Sequence, residues 1–305
     1  MKKVIIDTDP GIDDAIALCY ALSHPKLEVL ALTSIFGNVS TELATQNALR
    51  ICELCNTSVP VAQGADSPLH IKRNPAPDFV HGVNGFGNIE LPVPTTRRDK
   101  SSAAELIIDL VREQPGEITL IPVGPLTNLA KALEQAPDIA DKVAEVIVMG
   151  GVFYASGNVT PFAEANIWND PHAAQKVLTA SWPVVVHGLD ITHQIVFDRP
   201  YLGRLAAASP RIGGFLHNAA EFYINFYKEQ RNIDGCCPHD LLAVAYAANP
   251  QWYKTETGRF DVITDGEQIG RTTTTKVCES NKQIALDVDR TALIDEYFDI
   301  LGTRP

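Results

Sequence analysis

Four aspartates lie close together near the start of the chain, in the stretch Asp7-Thr8-Asp9-Pro10-Gly11-Ile12-Asp13-Asp14. An apolar run at 4–6, typical of a buried strand, precedes them, and a helix-like run at 13–22 follows. The helix dipole stabilises an acid in the first turn by only about 0.3–1 kcal/mol. The crowding therefore favours a divalent cation with carboxylate ligands. A plain Asp-Pro-Gly turn followed by a capped helix explains the same residues about equally well.

Strand and helix patterns alternate along the rest of the chain. Strands are predicted at 27–35, 59–62, 118–123, 143–149 and 183–187, and helices at 42–54, 102–112, 171–179, 212–229 and 241–248. A strand pair at 260–263 and 270–277 and a helix at 291–301 end the chain. We therefore predict an α/β fold: one open, mostly parallel, Rossmann-like sheet flanked by helices, with a small added strand pair near the C-terminus.

Polar residues follow several of these strands, at the carboxyl edge of the sheet where open α/β folds bind ligands. Asn38 follows the second strand, and an irregular segment at 157–166 follows the strand 143–149. That segment carries three side chains whose donors and acceptors suit hydroxyl groups, namely Asn158, Glu164 and Asn166. His81 lies in the long loop 63–100 among three glycines, as in a mobile flap over a site, although a lone histidine there is more often structural.

Composition narrows the classes of partner. The 305 residues carry a formal net charge of −12 and are 45% hydrophobic, which argues against nucleic acid or an anionic membrane and fits a small neutral substrate. No signal-peptide core and no membrane-spanning run is recognisable. Six cysteines in so long a chain indicate reduced thiols in the cytoplasm, and the Cys52/Cys55 pair is better explained by helix packing than by redox or zinc chemistry. No linker is evident, so one domain, 1–305, is expected.

Five motifs in order resemble the calcium-dependent nucleoside hydrolases of the inosine-uridine-preferring type. They are the acidic stretch 7–14 and the segments 124–128, 149–151, 157–161 and 239–240. The resemblance covers nearly the whole chain and implies a ribonucleoside N-glycosidase of nucleoside salvage or catabolism. Water would replace the purine or pyrimidine on the ribose anomeric carbon, giving free base and ribose. The resemblance also implies a cytoplasmic homo-oligomer, either a tetramer or a dimer.

The same resemblance implies roles for individual residues. Calcium (Ca2+) would be held by Asp9, Asp14, Asp240 and the main-chain carbonyl of Val123, where family members often have threonine. Asp9 would also act as general base toward a water on the ion, and His239 would be the acid that protonates the departing base. The ribose would be bound by Asp13, Asn38 and Asn166 at the 2′ and 3′ hydroxyls, by Asn158 and Glu164 at the 5′ hydroxyl, and by Met149. The base would be contacted by His81, Tyr223 and Tyr227.

Two other functions compete with this hypothesis. An Asp-x-Asp after a first strand also resembles magnesium-dependent haloacid-dehalogenase-like phosphatases, but the sequence Pro10-Gly11-Ile12-Asp13-Asp14 replaces the small-residue turn and threonine that they carry. A non-catalytic nucleoside-binding protein would need neither Asp9 nor His239. Ala165 stands where many relatives have phenylalanine, and the sequence leaves the preference between purines and pyrimidines open.

Overall fold

A computed structural model describes residues 1–303 and contains one nine-stranded sheet in the order β3-β2-β1-β4-β5-β6-β9-β7-β8. The strands are β1 (Lys2–Thr8), β2 (Leu27–Ser34), β3 (Val61–Gln63), β4 (Ile118–Pro122), β5 (Glu145–Met149), β6 (Val184–His187), β7 (Tyr253–Val262), β8 (Thr272–Lys276) and β9 (Lys282–Val288). The pairings from β3 through to β9 are parallel, whereas β7 runs antiparallel to both β9 and β8. The predicted α/β class is confirmed.

Twelve α-helices cover this sheet within the described residues. They are α1 (Ile12–Ser23), α2 (Thr41–Leu54), α3 (Asp78–His81), α4 (Ala103–Glu113), α5 (Thr127–Gln135), α6 (Ala165–Asn169), α7 (Pro171–Thr179), α8 (Leu189–Thr192), α9 (Arg199–Ala208), α10 (Ile212–Arg231), α11 (His239–Ala248) and α12 (Arg290–Gly302). Two short 3₁₀ helices lie at Pro137–Asp141 and Pro250–Trp252. In the part of the chain that the structure describes, none of the helices has both the length and the apolar character to cross a membrane.

The hydrophobic core has one cluster on each face of the sheet. Along β1, Val4 and Ile6 belong to one cluster and Ile5 to the other, as the two-residue period of a strand requires. The first cluster includes α1, α10, α11 and α12, and the second includes α4, α5 and α7. Because both faces are covered, the central strands are almost continuously apolar, which is the pattern that made them recognisable in the sequence.

Two of the longer elements were absent from the sequence prediction. Strand β9 lies between β6 and β7, so the terminal strand pair joins the sheet through it. Polar residues break up its apolar pattern, and its pairing with β6 spans about a hundred residues of chain. Helix α9 has a readable start, since the Asp198 side chain caps it by accepting a hydrogen bond from the Tyr201 N–H and Pro200 follows.

The strand order reverses between β1 and β4, which creates a crevice at the carboxyl edge of the sheet. Asp7 of β1 pairs with Pro122 of β4, so the next residues of each strand, up to Asp9 and Val123, leave the sheet side by side. Helix α1 starts at Ile12, directly after the turn. The fold therefore brings the acidic stretch and the end of β4 to the edge where a ligand is expected.

Candidate active site

A cavity of about 790 Å³ opens at this carboxyl edge. Every site residue predicted from the sequence lines it except Asp9 and Asp14. These two acids lie buried behind Asn38, whose main-chain N–H donates to Asp9 Oδ2 at 2.7 Å and whose side-chain amide donates to Asp14 Oδ2 at 3.0 Å. Residues that are far apart in the sequence therefore form one pocket, and the bottom of that pocket is acidic.

Three carboxylates converge at the bottom of the cavity. Asp13, Asp14 and Asp240 are buried, and each offers an oxygen within 4.8 Å of the others. Burial, followed by repulsion from neighbouring acids, raises the pKa of Asp13 and of Asp240 well above the ordinary range. Asp14 also accepts a hydrogen bond from the Gly11 N–H at 2.9 Å, so the helix-capping interpretation accounts for part of this side chain.

Asp9 lies beside this cluster and outside the group of three converging acids. Its Oδ1 is buried without a hydrogen-bond partner among the described residues, as is Asp13 Oδ1. Burial, followed by repulsion from Asp14, raises the pKa of Asp9 well above its usual range. Two glycines leave room for the carboxylate, because a Cβ atom would lie 2.0 Å from Asp9 Oδ2 at Gly37 and 2.5 Å from Asp9 Oδ1 at Gly124.

The residues at this site suit a hard divalent cation. The donors are all oxygens, and two of the buried carboxylate oxygens have no hydrogen-bond partner in the part of the chain that the structure describes. Within residues 1–303, no lysine or arginine forms an ion pair with these acids. His81 Nδ1 lies 3.8 Å from Asp13 Oδ1, but burial lowers the pKa of His81 to about 3, so this ring supplies no counter-charge. Buried carboxylates without a counter-charge are costly, and a cation would relieve that cost. The Val123 carbonyl accepts the Asn166 side-chain amide at 2.7 Å and keeps a second lone pair.

Glu164 and Asn166 lie at the start of helix α6 and line the same cavity. Glu164 caps that helix by accepting hydrogen bonds from Asn166 N–H and Ile167 N–H, and its Oε2 also accepts from the Gly151 N–H at 2.8 Å. Burial raises the pKa of Glu164 to about 6. Asn158 is exposed at the rim, and its Oδ1 accepts from the Ala165 N–H at 3.0 Å. Both side chains border the cavity with oxygens that can accept hydrogen bonds.

His239 lies between two hydroxyl groups. Its Nε2 is 2.6 Å from the Tyr227 hydroxyl and its Nδ1 is 2.7 Å from Thr192 Oγ1. Burial is the main cause that lowers the pKa of His239 well below the ordinary value, so the ring is neutral at pH 7. The sequence argument that His239 titrates near neutrality is therefore wrong for this environment. Tyr223 extends the group, with its hydroxyl 3.4 Å from that of Tyr227.

His81 is buried rather than exposed on a mobile loop. It ends the one-turn helix α3, and its Nδ1 accepts a hydrogen bond from the Ile12 N–H at 3.2 Å. Burial lowers its pKa to about 3, so this ring is also neutral. Its centroid lies 5.1 Å from that of Tyr223. His81 therefore joins the flap segment to the start of α1, close to the acidic cluster.

The sequence analysis missed several residues that contribute to the site. The cavity lining also includes Trp168, His193, Phe226 and Arg231. Trp168 is close in sequence to Asn166 and was recognisable as a large aromatic residue in the same segment. Thr192 lies behind His239 and carried no recognisable signal, because the sequence does not show which hydroxyl group contacts a given histidine.

The fold and the cavity define an α/β protein with a buried acidic site that suits a divalent cation beside a small hydroxylated ligand. Residues 4–295 match the inosine-uridine preferring nucleoside hydrolase family. Uridine nucleosidase 1 of Arabidopsis thaliana is 40% identical over 272 residues, which cover 89% of this chain and 81% of that protein. The inosine-uridine preferring nucleoside hydrolase of Crithidia fasciculata is 38% identical over 269 residues, covering 87% of this chain and 85% of that one.

Solved structures agree with the sequence relatives. A purine-preferring ribonucleoside hydrolase from Gardnerella vaginalis superimposes with a TM-score of 0.95 at 33% identity, covering 99% of this chain and 98% of that one. The chain therefore belongs to the inosine-uridine preferring nucleoside hydrolase family, and it is an enzyme of the N-ribohydrolase class. The resemblance stated from the sequence is confirmed, and the phosphatase alternative is not favoured.

Proposed function

We propose that this enzyme hydrolyses the N-glycosidic bond of ribonucleosides with the help of Ca2+, releasing free base and ribose. The observation that carries the proposal is the buried acidic group at the bottom of the cavity, in which Asp9 Oδ1 has no hydrogen-bond partner among residues 1–303. We propose Asp9, Asp14, Asp240 and the Val123 carbonyl as the calcium ligands, and the convergence of Asp13 with two of these acids makes Asp13 a neighbour of the ion.

Asp9 is proposed to remove a proton from the attacking water. Its Oδ2 is held by the Asn38 N–H, which leaves Oδ1 free to accept that proton. Calcium, when bound, would polarise this water and bind the ribose 2′ and 3′ hydroxyls. Cleavage of a glycosidic bond passes through an oxocarbenium-like state with positive charge on the sugar, so the surrounding carboxylates also stabilise it electrostatically.

Ribose would be oriented by the polar groups of the cavity wall. We propose that Asp13, Asn38 and Asn166 bind the 2′ and 3′ hydroxyls. Asn158 and Glu164 would bind the 5′ hydroxyl, and Met149 would pack against the sugar. The support is their common position on the lining and the hydrogen bond from Asn166 to the Val123 carbonyl, which joins the ribose wall to the proposed metal site.

The departing base would take a proton from the pair formed by Tyr227 and His239. The two side chains are 2.6 Å apart, and both line the same cavity as Asp13 and Asp240 of the acidic group. The proton that Asp9 takes from water returns to solvent, and the donor pair regains one, so the reaction consumes no net proton. His81 and Tyr223 would contact the base beside this pair.

The names of relatives and the size of the cavity support a proposal for the bases that are accepted. A relative is named a uridine nucleosidase, and a structural neighbour is named purine-preferring. A cavity of about 790 Å³ accommodates either kind of base, and a donor that protonates the base helps a purine as well as uracil. We therefore propose that both inosine and uridine are substrates. Organisation as one domain, 1–305, is part of this proposal, whereas the cytoplasmic location and the homo-oligomer stay predictions.

The test is ribose release from inosine, uridine, cytidine and adenosine, with calcium and after chelation. We expect release that chelation abolishes and calcium restores. Asp9→Asn should remove turnover, whereas Asp7→Asn is the matched control: Asp7 is equally buried, but its Oδ1 accepts from Thr33 Oγ1 and Asn128 Nδ2, which an asparagine oxygen can also do. Normal turnover in Asp9→Asn, or release that is indifferent to chelation, would contradict the proposal.

A further inference from the structure

Thr192 is a fully buried residue that contacts His239 from behind the cavity. It ends the one-turn helix α8, which follows β6, and its main-chain N–H donates to the Gly188 carbonyl at 3.1 Å. Its hydroxyl lies 2.7 Å from His239 Nδ1. Thr192 does not line the cavity, and its hydroxyl is connected to the cavity through its hydrogen bond to the His239 ring.

Three groups form a hydrogen-bonded chain that leads from the protein interior to the cavity. Thr192 Oγ1 contacts His239 Nδ1, and His239 Nε2 contacts the Tyr227 hydroxyl. A neutral imidazole donates from one ring nitrogen and accepts at the other, so the chain can run in either of two directions. In one direction the hydrogens point toward the cavity, and in the other they point toward the interior.

The hydroxyl of Thr192 favours one direction. Among the residues that the structure describes, His239 Nδ1 is the one hydrogen-bond partner of Thr192 Oγ1. If Nδ1 donated to Thr192, the threonine hydrogen would be buried without an acceptor, which costs free energy. Tyr227 has no such constraint, because its hydroxyl borders the cavity and also lies 3.4 Å from the Tyr223 hydroxyl.

We propose that Thr192 donates its hydroxyl hydrogen to His239 Nδ1 and thereby keeps the ring proton on Nε2. His239 then donates to Tyr227, and the Tyr227 hydrogen is left facing the base. Thr192 is a positioning residue in this scheme, since it acts on the reaction by selecting the tautomer of another side chain. A donor fixed toward the site of developing charge needs little reorganisation in the transition state. The inference rests on the proposed function, in particular on the Tyr227 and His239 donor pair.

His193 adds a restraint on the same ring. Its imidazole packs edge-on against His239, with 5.3 Å between ring centroids. The ring of His239 is thus held at both nitrogens and on one side. Because the orientation of the ring is fixed, the remaining variable is which ring nitrogen carries the proton, and the Thr192 hydroxyl determines this.

The experiment compares Thr192→Val with Thr192→Ser on two substrates. Valine has nearly the shape of threonine without the hydroxyl, and serine keeps the hydroxyl. Inosine needs a proton donor for its base, whereas 4-nitrophenyl β-D-ribofuranoside has a leaving group that departs as a stable anion. For Thr192→Val we expect kcat on inosine to fall about tenfold to a hundredfold, part of what a general acid contributes, with KM and the nitrophenyl riboside rate little changed. Thr192→Ser should restore the inosine rate.

A spectroscopic measurement tests the tautomer directly. In protein with ¹⁵N-labelled histidine, the His239 resonances, assigned with His239→Gln, should show a protonated Nε2 and an unprotonated Nδ1. In Thr192→Val the Nδ1-protonated tautomer should become more populated, because the hydrogen bond from Thr192 that stabilises the Nε2-protonated form is lost and Nδ1 is unpaired in either tautomer. A protonated Nδ1 in the unmodified enzyme would overturn the inference.

The kinetic outcomes separate this inference from the proposed function. If the unmodified enzyme releases no base from any nucleoside, the proposed function itself fails. If it hydrolyses inosine but Thr192→Val lowers the hydrolysis rates of inosine and of the nitrophenyl riboside by the same factor, Thr192 has only a structural role. In that case the inference alone is overturned. The same holds if Thr192→Val keeps its full rate on inosine.

Discussion

Asp240→Asn removes one negative charge from the buried acidic group while keeping the size of the side chain. In the metal-free enzyme, burial disfavours the ionised form of Asp240, and repulsion from Asp13, Asp14 and Asp9 adds to that cost. The change also loses a favourable interaction with the start of helix α11, worth about 0.3–1 kcal/mol. Each unit by which the pKa of a buried acid is raised corresponds to about 1.4 kcal/mol, and the pKa of Asp240 lies well above its usual range. We therefore expect metal-free Asp240→Asn to be more stable than the unmodified enzyme.

Calcium should narrow this difference in stability. A ligand at about a hundred times its dissociation constant stabilises a native protein by about 2.7 kcal/mol. For a chain of this size, each kcal/mol of stabilisation raises the melting temperature by about 2 °C or somewhat more. Calcium should therefore raise the melting temperature of the unmodified enzyme by roughly 5 °C. Asp240→Asn has lost a proposed ligand and a charge, so its gain should be much smaller at the same calcium concentration.

The assay is thermal unfolding at pH 7.5, measured in chelator and in a series of calcium concentrations, on the unmodified enzyme, Asp240→Asn and Asp7→Asn. Asp7 is the matched control, because it is a buried carboxylate of the same stretch outside the converging group. It should keep the full calcium gain. A full gain in Asp240→Asn would refute the assignment of Asp240 as a ligand, and a metal-free Asp240→Asn less stable than the unmodified enzyme would refute the repulsion argument.

Three further predictions concern catalysis. Burial raises the pKa of Glu164 to about 6, so its carboxylate gains a proton as the pH falls through 6 and then accepts hydrogen bonds less well. The KM for inosine should therefore rise below pH 6. Glu164→Gln should raise KM at all pH values and remove that pH dependence. Gly124→Ala should cost at least tenfold in kcat, since its Cβ would lie 2.5 Å from Asp9 Oδ1, whereas Gly203→Ala, with nothing within 4 Å, should leave kcat unchanged. Tyr227→Phe should slow inosine hydrolysis about a hundredfold and hydrolysis of the nitrophenyl riboside far less, and equal losses on both substrates would exclude Tyr227 as a donor.

Local sequence patterns predicted those parts of the site that form within a few residues. The turn from β1 into α1 spans Thr8 to Ile12, and its apolar strand, glycine and helix start are all readable in the chain. Ser40, a residue type typical of helix N-caps, caps α2 by accepting a hydrogen bond from the Leu43 N–H. Strand β9 was missed because its pattern is half polar and its partners are remote in sequence.

The sequence by itself determined the fold class, the edge of the sheet that carries the site, and the residue types of an acidic group beside polar ribose-binding candidates. It did so because strand and helix periodicity and strand-to-helix turns are local properties of the chain. Only the tertiary structure decided which of those groups touch. Thr192 and His239 are 47 residues apart and meet through the packing of α8 against α11, and the neutral state of His239 results from burial that no sequence pattern records. The hydrogen-bonding partners and protonation state of that ring were therefore visible only in the folded molecule.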